Sequence, residues 1–488
     1  MRVPRLVAVA SGWFGLTVAL AAAAAVPGPG IPGSVAARPA ATGPAGFSVS
    51  ALADVAVRPG VQRAGRVQAN PPTTADCEKA YKVACYQPTQ IRQAYDLPSL
   101  YARGVTGRGR TIVIVDSFGS PTIRNDLTVF DKAFGLPAPP KFTIIRPAGP
   151  VGPVPAYNPN NSNMVGWAGE TTLDVEYAHA IAPGASILLV ETPVSETEGV
   201  HGFPQIIKAE QYVVRHHLGD VISQSFSATE QTFPSQAAVQ ALHGAYQLAA
   251  RNHVTVLAAS GDSGAADVKL DGRTYYPFPV TSWPDSDPLV TAVGGTQLHV
   301  TAQGQPAAPT VWNDTYNPAA NEFAIGNPGP NPLAAGGGRS VLFGRPGYQN
   351  GVRNVVGGHR GVPDISMSAA CNGSVDTYGT FGGAPAGWSP ACGTSEATPL
   401  FAGIVALAAQ LAGHPLGPIN PALYRLAAAH ARGIVDVTKG GNTVSFTQGG
   451  QRHTVRGFTA GPGYDLASGV GTVNARYFVS ELASAVGH

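Results

Sequence analysis

Charge is what this sequence has little of. Only 12% of its 488 residues are Asp, Glu, Lys or Arg, and the 31 basic and 29 acidic side chains leave a formal net charge of +2. So balanced a chain offers no field for a polyanion, which excludes nucleic acid and strongly acidic surfaces as expected partners. Cysteine is sparse as well, with only Cys77, Cys85, Cys371 and Cys392. No internal repeat is found, and beyond the first 26 residues no apolar run is expected to cross a bilayer. None of the 12 histidines lies in a segment resembling the base of a Ser-His-Asp triad. His179 sits among Ala-rich positions and reads as a core histidine. The 60 glycines and 43 prolines come with 44% hydrophobic residues, so they mark turns in a packed chain rather than disorder.

What is present begins with an export signal. Arg2 and Arg5 precede an apolar stretch from Leu6 to Val26 that ends in Ala and then Pro27-Gly28-Pro29-Gly30, the pattern of a secretory signal peptide over residues 1–26. An uncleaved anchor is the structural alternative. Residues 27–88 then read as a short Pro/Ala-rich propeptide or linker, with organised structure from about Thr89 to the end. In an oxidising compartment the cysteines are expected to pair by sequence neighbourhood, Cys77 with Cys85 and Cys371 with Cys392. The residues alone leave three connectivities open.

From Thr111 the chain alternates. Short β-branched runs at Thr111–Asp116, Ser186–Glu191, Asp220–Ser223, Val254–Ala259 and Leu289–Val293 are interleaved with helical patterns at Asn125–Phe134, Gly169–Ile181, Phe203–His217 and Ser235–Asn252. Strand-helix alternation predicts an α/β domain with a mostly parallel sheet and helices on both faces. Functional groups then collect at the carboxyl ends of the strands. Asp116 and the turn Ser260-Gly261-Asp262-Ser263-Gly264 occupy such ends.

Three groups carry chemistry. Ser395, in Gly393-Thr394-Ser395-Glu396-Ala397-Thr398-Pro399, stands at a tight turn before the helical run Leu400–Leu411, where free N–H groups and the helix dipole favour an oxyanion. Capping by Ser395 is the bland alternative. Glu170 and Asp174 are four residues apart, on one face of a helix, beside the apolar positions Leu173, Tyr177 and Ile181. Two neighbouring carboxyls in a desolvated place share protons instead of both ionising. With no histidine to serve, such a carboxyl is the better base for Ser395. Asp262 alone would be an ordinary Asp/Gly turn.

As an ordered set these residues resemble the sedolisins, or serine-carboxyl peptidases. Glu170-Thr171-Thr172-Leu173-Asp174 followed by Ala182-Pro183-Gly184-Ala185 is similar to that family's Glu/Asp helix. Ser260-Gly261-Asp262 resembles its oxyanion turn, and Gly393-Thr394-Ser395 with Pro399 its nucleophile motif. Ala292–Thr296, Gly336–Ser340 with Pro346–Gln349, and Pro363–Ser366 extend the likeness over roughly Thr89 to Val473. The resemblance implies a subtilisin-like three-layer sandwich and an acid endopeptidase: Ser395 as nucleophile, Glu170 as base, Asp174 orienting it, and protonated Asp262 as oxyanion donor. It also implies one structural calcium ion, held at Asp436, Val437, Gly461, Gly463 and Asp465. The expected partners are polypeptide substrates, for a secreted protein that is monomeric and not membrane-bound once mature. Exopeptidase action, a subtilisin-type triad using Asp116, and an idle binding protein are the competing readings. The chain departs from the family in its short segment before the domain, in Ser223-Gln224-Ser225-Phe226-Ser227 where a Ser-Trp-Gly pattern is usual, and in Asp116 where some members have Glu.

Overall fold

The computed structural model describes residues 68–147, 152–301 and 305–486. The expected signal peptide and nearly all of the segment to Asn70 lie outside these residues. The main sheet contains β1 (Thr111–Ser117), β2 (Phe142–Ile145), β3 (Ser186–Thr192), β4 (Val221–Gln224), β5 (Thr255–Ala259), β6 (Thr291–Gln297), β7 (Thr310–Val311) and β8 (Ile365–Ser368). Their order is β7-β6-β5-β4-β1-β3-β2, with β8 also pairing to β6. All of these pairs are parallel except β7 with β6.

Period-two alternation sorts the strand side chains between two cores. Ile112 and Ile114 of β1 face one way, into a core shared with Leu173, Tyr177 and Ile181. Val113 and Val115 face the other way, towards Ile206, Val213, Val239 and Leu242. The first core holds the helices α1 (Ile123–Phe134), α2 (Ser162–Ile181), α5 (Thr394–Ala412) and α6 (Ala475–Ala485); the second holds α3 (Phe203–Arg215) and α4 (Gln236–Arg251). The three-layer α/β sandwich expected from alternation is therefore present.

Two expectations are corrected. Organised structure begins before Thr89: a helix at Thr74–Tyr81, closed by a Thr73/Asp76 capping box, leads to a strand at Cys85–Tyr86 that pairs with Ser374–Val375. The apolar helix α5 is long and apolar enough to pass for a membrane span, although none was expected beyond the N-terminus. It is the central helix of the first core, with Thr394 to Ala409 buried throughout, which removes the need for lipid. Two disulfides join Cys77 to Cys85 and Cys371 to Cys392.

Candidate active site

α2 starts two turns earlier than the apolar pattern suggested, because the Asn161 side chain caps it by accepting from the Asn163 and Met164 N–H groups. From Trp167 to Ile181 every residue is buried. The helix is buried all round, so Glu170 and Asp174 are both enclosed at 0% exposure. Desolvation works against their charged forms.

α5 brings the serine. The strand Gly387–Ala391 runs through Cys392 into Gly393, whose φ of 124° lies in the region that favours glycine. Its N–H donates to the Ala369 carbonyl at 2.8 Å. Thr394, Ser395 and Glu396 form the first turn, and Ser395 is only 2% exposed. Pro399 sits inside the helix and has no N–H, so the Ser395 carbonyl loses its ordinary partner four residues on. The Ser225 hydroxyl lies 3.5 Å from that carbonyl and 3.0 Å from Asp174 Oδ1. It thereby ties the carboxyl helix to the serine turn. Further along, α2 and α5 approach so closely that a Cβ on Gly403 would come within 2.6 Å of the Ile181 Cβ.

Asp262 completes the group. Its Oδ1 accepts from both the Thr394 N–H, at 2.7 Å, and the Thr394 hydroxyl, at 2.8 Å. Oδ2 makes no hydrogen bond. Burial pushes the carboxyl up to about 7 against the pull of those two bonds. Asp174 is held well above the usual carboxylate range, by burial first and then by the charges of Asp116 and Glu170, with the Ser225 hydroxyl opposing. Asp116 lies one residue before the end of β1 on the α2 side of the sheet, opposite Glu191 in the register with β3. Burial, with a smaller push from Glu191, raises it to about 7 against the Thr171 hydroxyl. The structure thus links Asp174 to the Ser395 carbonyl through the Ser225 hydroxyl, bonds Asp262 to Thr394 next to Ser395, places Glu170 one helical turn from Asp174, and adds Asp116.

Sequence reasoning missed Ser225 as a link and Glu196 altogether. Glu196 is fully buried in the loop after β3, and both its oxygens lack a hydrogen bond. Burial, then Glu170, Glu198 and Asp116, hold it well above its usual range. Its position after a strand end was the available signal. His179 does turn into the core, where its Nε2 lies 2.8 Å from the Pro137 carbonyl.

The residues assigned to calcium also converge. The Ser468 hydroxyl is 3.1 Å from both Asp465 oxygens and 3.5 Å from the Val437 carbonyl, while Gly463 N–H donates to Asp436 at 2.9 Å. Gly461 N–H donates to Asp465 at 3.1 Å. Among the described residues no group of three or more His, Cys, Asp or Glu side chains is placed to hold a metal. An ion here would draw on two carboxylates and main-chain carbonyls, an all-oxygen set that suits a hard cation.

The subtilase family model matches residues 155–450. The chain belongs to the subtilase family. Within it the likeness is to sedolisins. The chain is 31% identical over 416 residues to kumamolisin of Bacillus sp. strain MN-32, covering 82% of this chain and 64% of that protein. It is 28% identical to sedolisin of Pseudomonas sp. strain 101, covering 80% and 60%, and 30% identical to human tripeptidyl-peptidase 1, covering 62% and 50%. It therefore spans about half to two thirds of the length of these relatives. The solved structure of Pseudomonas sedolisin, a serine-carboxyl proteinase complexed with pseudo-iodotyrostatin, overlays with a TM-score of 0.67 at 26% identity, covering 82% of this chain and 99% of that one. This sedolisin-type subtilase keeps a serine at the helix turn and carboxyls beside it.

Proposed function

We propose that this chain is an exported acid endopeptidase that cleaves peptide bonds through an acyl-enzyme on Ser395. The observation that carries this reading is the Ser225 hydroxyl joined to both Asp174 and the Ser395 carbonyl, beside the buried Glu170. Ser395 Oγ attacks the scissile carbonyl while Glu170 accepts its proton, and Asp174 shares and orients that proton. The tetrahedral oxyanion is met by the Asp262 carboxyl in its protonated form, through the Oδ2 that no other group uses. The proton on Glu170 then passes to the leaving amine, and water repeats the sequence to release the acid. A base that must be ionised and an oxyanion donor that must be protonated overlap only below the pH at which Asp262 titrates, about 7. Hence the optimum is acidic.

The family likeness and the two disulfides fit an exported protein. With Thr74–Tyr86 packed into the domain, the linker or short propeptide is confined to the residues before it, and polypeptides are the substrates of a monomer. A calcium ion held by Asp436, Asp465 and the carbonyls of Val437, Gly461 and Gly463 would brace the C-terminal turns. Tripeptidyl exopeptidase action is the second reading, favoured by the 30% identity to human tripeptidyl-peptidase 1.

Proteolysis of a denatured protein at pH 2 to 8, by wild type and Ser395→Ala, tests both. Acid-confined cleavage lost by about 10⁴-fold or more in the variant is expected. Internal fragments support the endopeptidase, and tripeptides released from the N-terminus support the second reading. A neutral optimum, or cleavage that survives the substitution, rejects the mechanism.

A further inference from the structure

The loop after β3 carries an acid that the Ser395 chemistry leaves unused. Glu196 is 0% exposed, and neither of its carboxyl oxygens makes a hydrogen bond to another residue. A buried carboxyl without a partner costs stability, so its position calls for a role.

The loop is pinned on every side of Glu196. At its start the Thr192 hydroxyl lies 3.2 Å from the Val194 carbonyl and 3.4 Å from that of Asp116, which ties the loop to β1. Ser195 accepts from the Trp167 indole N–H at 2.9 Å, which lays the next residue along α2. Beyond Glu196, the Thr197 N–H and hydroxyl both donate to the His201 carbonyl, at 3.2 and 2.9 Å. Gly202 closes the loop with a φ of 84°, and a Cβ there would stand 2.9 Å from the Glu196 Cα.

Trp167, Glu170 and Asp174 are spaced by three and four residues, so they stand on one side of α2. A loop bonded to Trp167 therefore places Glu196 beside the carboxyl pair. The charges that act on it are those of Glu170 first, then Glu198 in its own loop and Asp116 on β1, and all three are acids. Glu198 is engaged elsewhere, since its Oε2 accepts from the Thr229 N–H and the Thr232 hydroxyl, each at 3.0 Å. Asp116 acts foremost among the charges on Asp174. Each member of the pair thus has one supporting acid, Asp116 for Asp174 and Glu196 for Glu170. Burial keeps Glu196 protonated in acid, so what it offers is an O–H donor, and a neighbouring carboxylate is the acceptor that gains most from it.

We propose that the Glu196 carboxyl donates a hydrogen bond to Glu170 from the loop side, positioning the base and stabilising its charge. This rests on the peptidase reading for the role of Glu170 as base. Glu196 keeps its proton and touches no substrate, so it is a positioning residue. A donor to the ionised form favours that form, and its loss makes Glu170 harder to ionise. The acid limb of the kcat/KM profile then moves to higher pH.

The test compares Glu196→Leu, which removes the donor, with Glu196→Gln, which leaves a weaker neutral one and carries the measurement alone where the Leu variant does not fold. Peptide hydrolysis is followed from pH 2 to 8. Carbon-13 NMR of protein labelled at the glutamate carboxyl carbons follows the ionisation of Glu170 directly, with Glu170→Gln identifying its signal. In the Leu variant the acid limb and the Glu170 titration are both expected to rise by about one pH unit, roughly a 10-fold loss of kcat/KM at a fixed pH on that limb. The Gln variant moves them less, and Glu198→Gln leaves both in place. A Glu170 titration unmoved in both Glu196 variants overturns the hydrogen bond, whatever hydrolysis does. So does an equal rise in Glu198→Gln, which would reduce the effect to loop charge. A titration that moves in a wild type without hydrolytic activity leaves the hydrogen bond standing and rejects the peptidase reading. Acid-confined hydrolysis with an unmoved limb does the reverse.

Discussion

Asp364 and Asp174 are both completely buried, yet they are treated oppositely. Asp364 is surrounded by donors: both of its oxygens bond the Arg360 guanidinium, Oδ1 also accepts from Tyr424, and Oδ2 from the Ala292 N–H at 2.8 Å. Asp174 has the Ser225 hydroxyl on one oxygen and nothing on the other, with Glu170 and Asp116 as neighbours in place of a cation. The first arrangement satisfies a charge and fixes structure. The second leaves a carboxyl short of partners, which costs stability and keeps a proton exchangeable. The same residue type at the same burial thus serves two ends, and the partners decide which.

The largest expected effect breaks the satisfied member. Asp364→Asn leaves Arg360 without its charge partner, and a loss of about 3–5 kcal/mol in chemical denaturation is expected. An unchanged denaturation midpoint would mean that the pair does not hold the fold. Removing the carboxyl at the site should do the opposite. Asp262→Ala, which takes away the donor, is expected to lower kcat by about 100- to 1000-fold, the usual range for one oxyanion donor, with a smaller change in stability. A stability loss as large as that of Asp364→Asn would erase the distinction.

pH sharpens the contrast. Asp116 and Asp262 have folded values raised to about 7 by burial, so the folded state binds more protons than the unfolded chain above ordinary carboxyl values near ~4. Stability is therefore greatest at acid pH and falls as pH climbs through that window, levelling above about 7. Asp116→Asn should flatten the decline in melting temperature, while a wild type most stable at neutral pH would contradict it. The smallest effect concerns the C-terminal turns. Excess chelator should lower the melting temperature by the equivalent of up to about 3 kcal/mol of linked binding, and Asp465→Asn should abolish that response.

Much of this site was legible because its signals are local. Glu170 and Asp174 share a face by helical spacing, the glycine before Ser395 marks a turn that only its φ tolerates, and strand-helix alternation forecasts a parallel sheet with Asp116 at a strand end. What was missed comes from residues distant in sequence. Ser225 acquires its role from meeting both Asp174 and the Ser395 carbonyl, and nothing in Ser223-Gln224-Ser225-Phe226-Ser227 announces either contact. Glu196 is likewise ordinary in sequence, and only the docking of its loop, through the Trp167 indole N–H to the Ser195 hydroxyl at 2.9 Å, carries it beside Glu170. The apolar run of α5 reads equally as a core helix or a membrane span until α2 and α6 are packed around it.

The sequence by itself determined which elements form and which chemical groups lie on each face, because periodicity, turn residues and proline act over a few residues. Tertiary structure alone decided which buried carboxyls are satisfied. Hydrogen-bond partners and desolvation depend on atoms hundreds of residues away in the chain, and those two quantities separate the fully partnered acid at Asp364 from the under-partnered ones around Ser395.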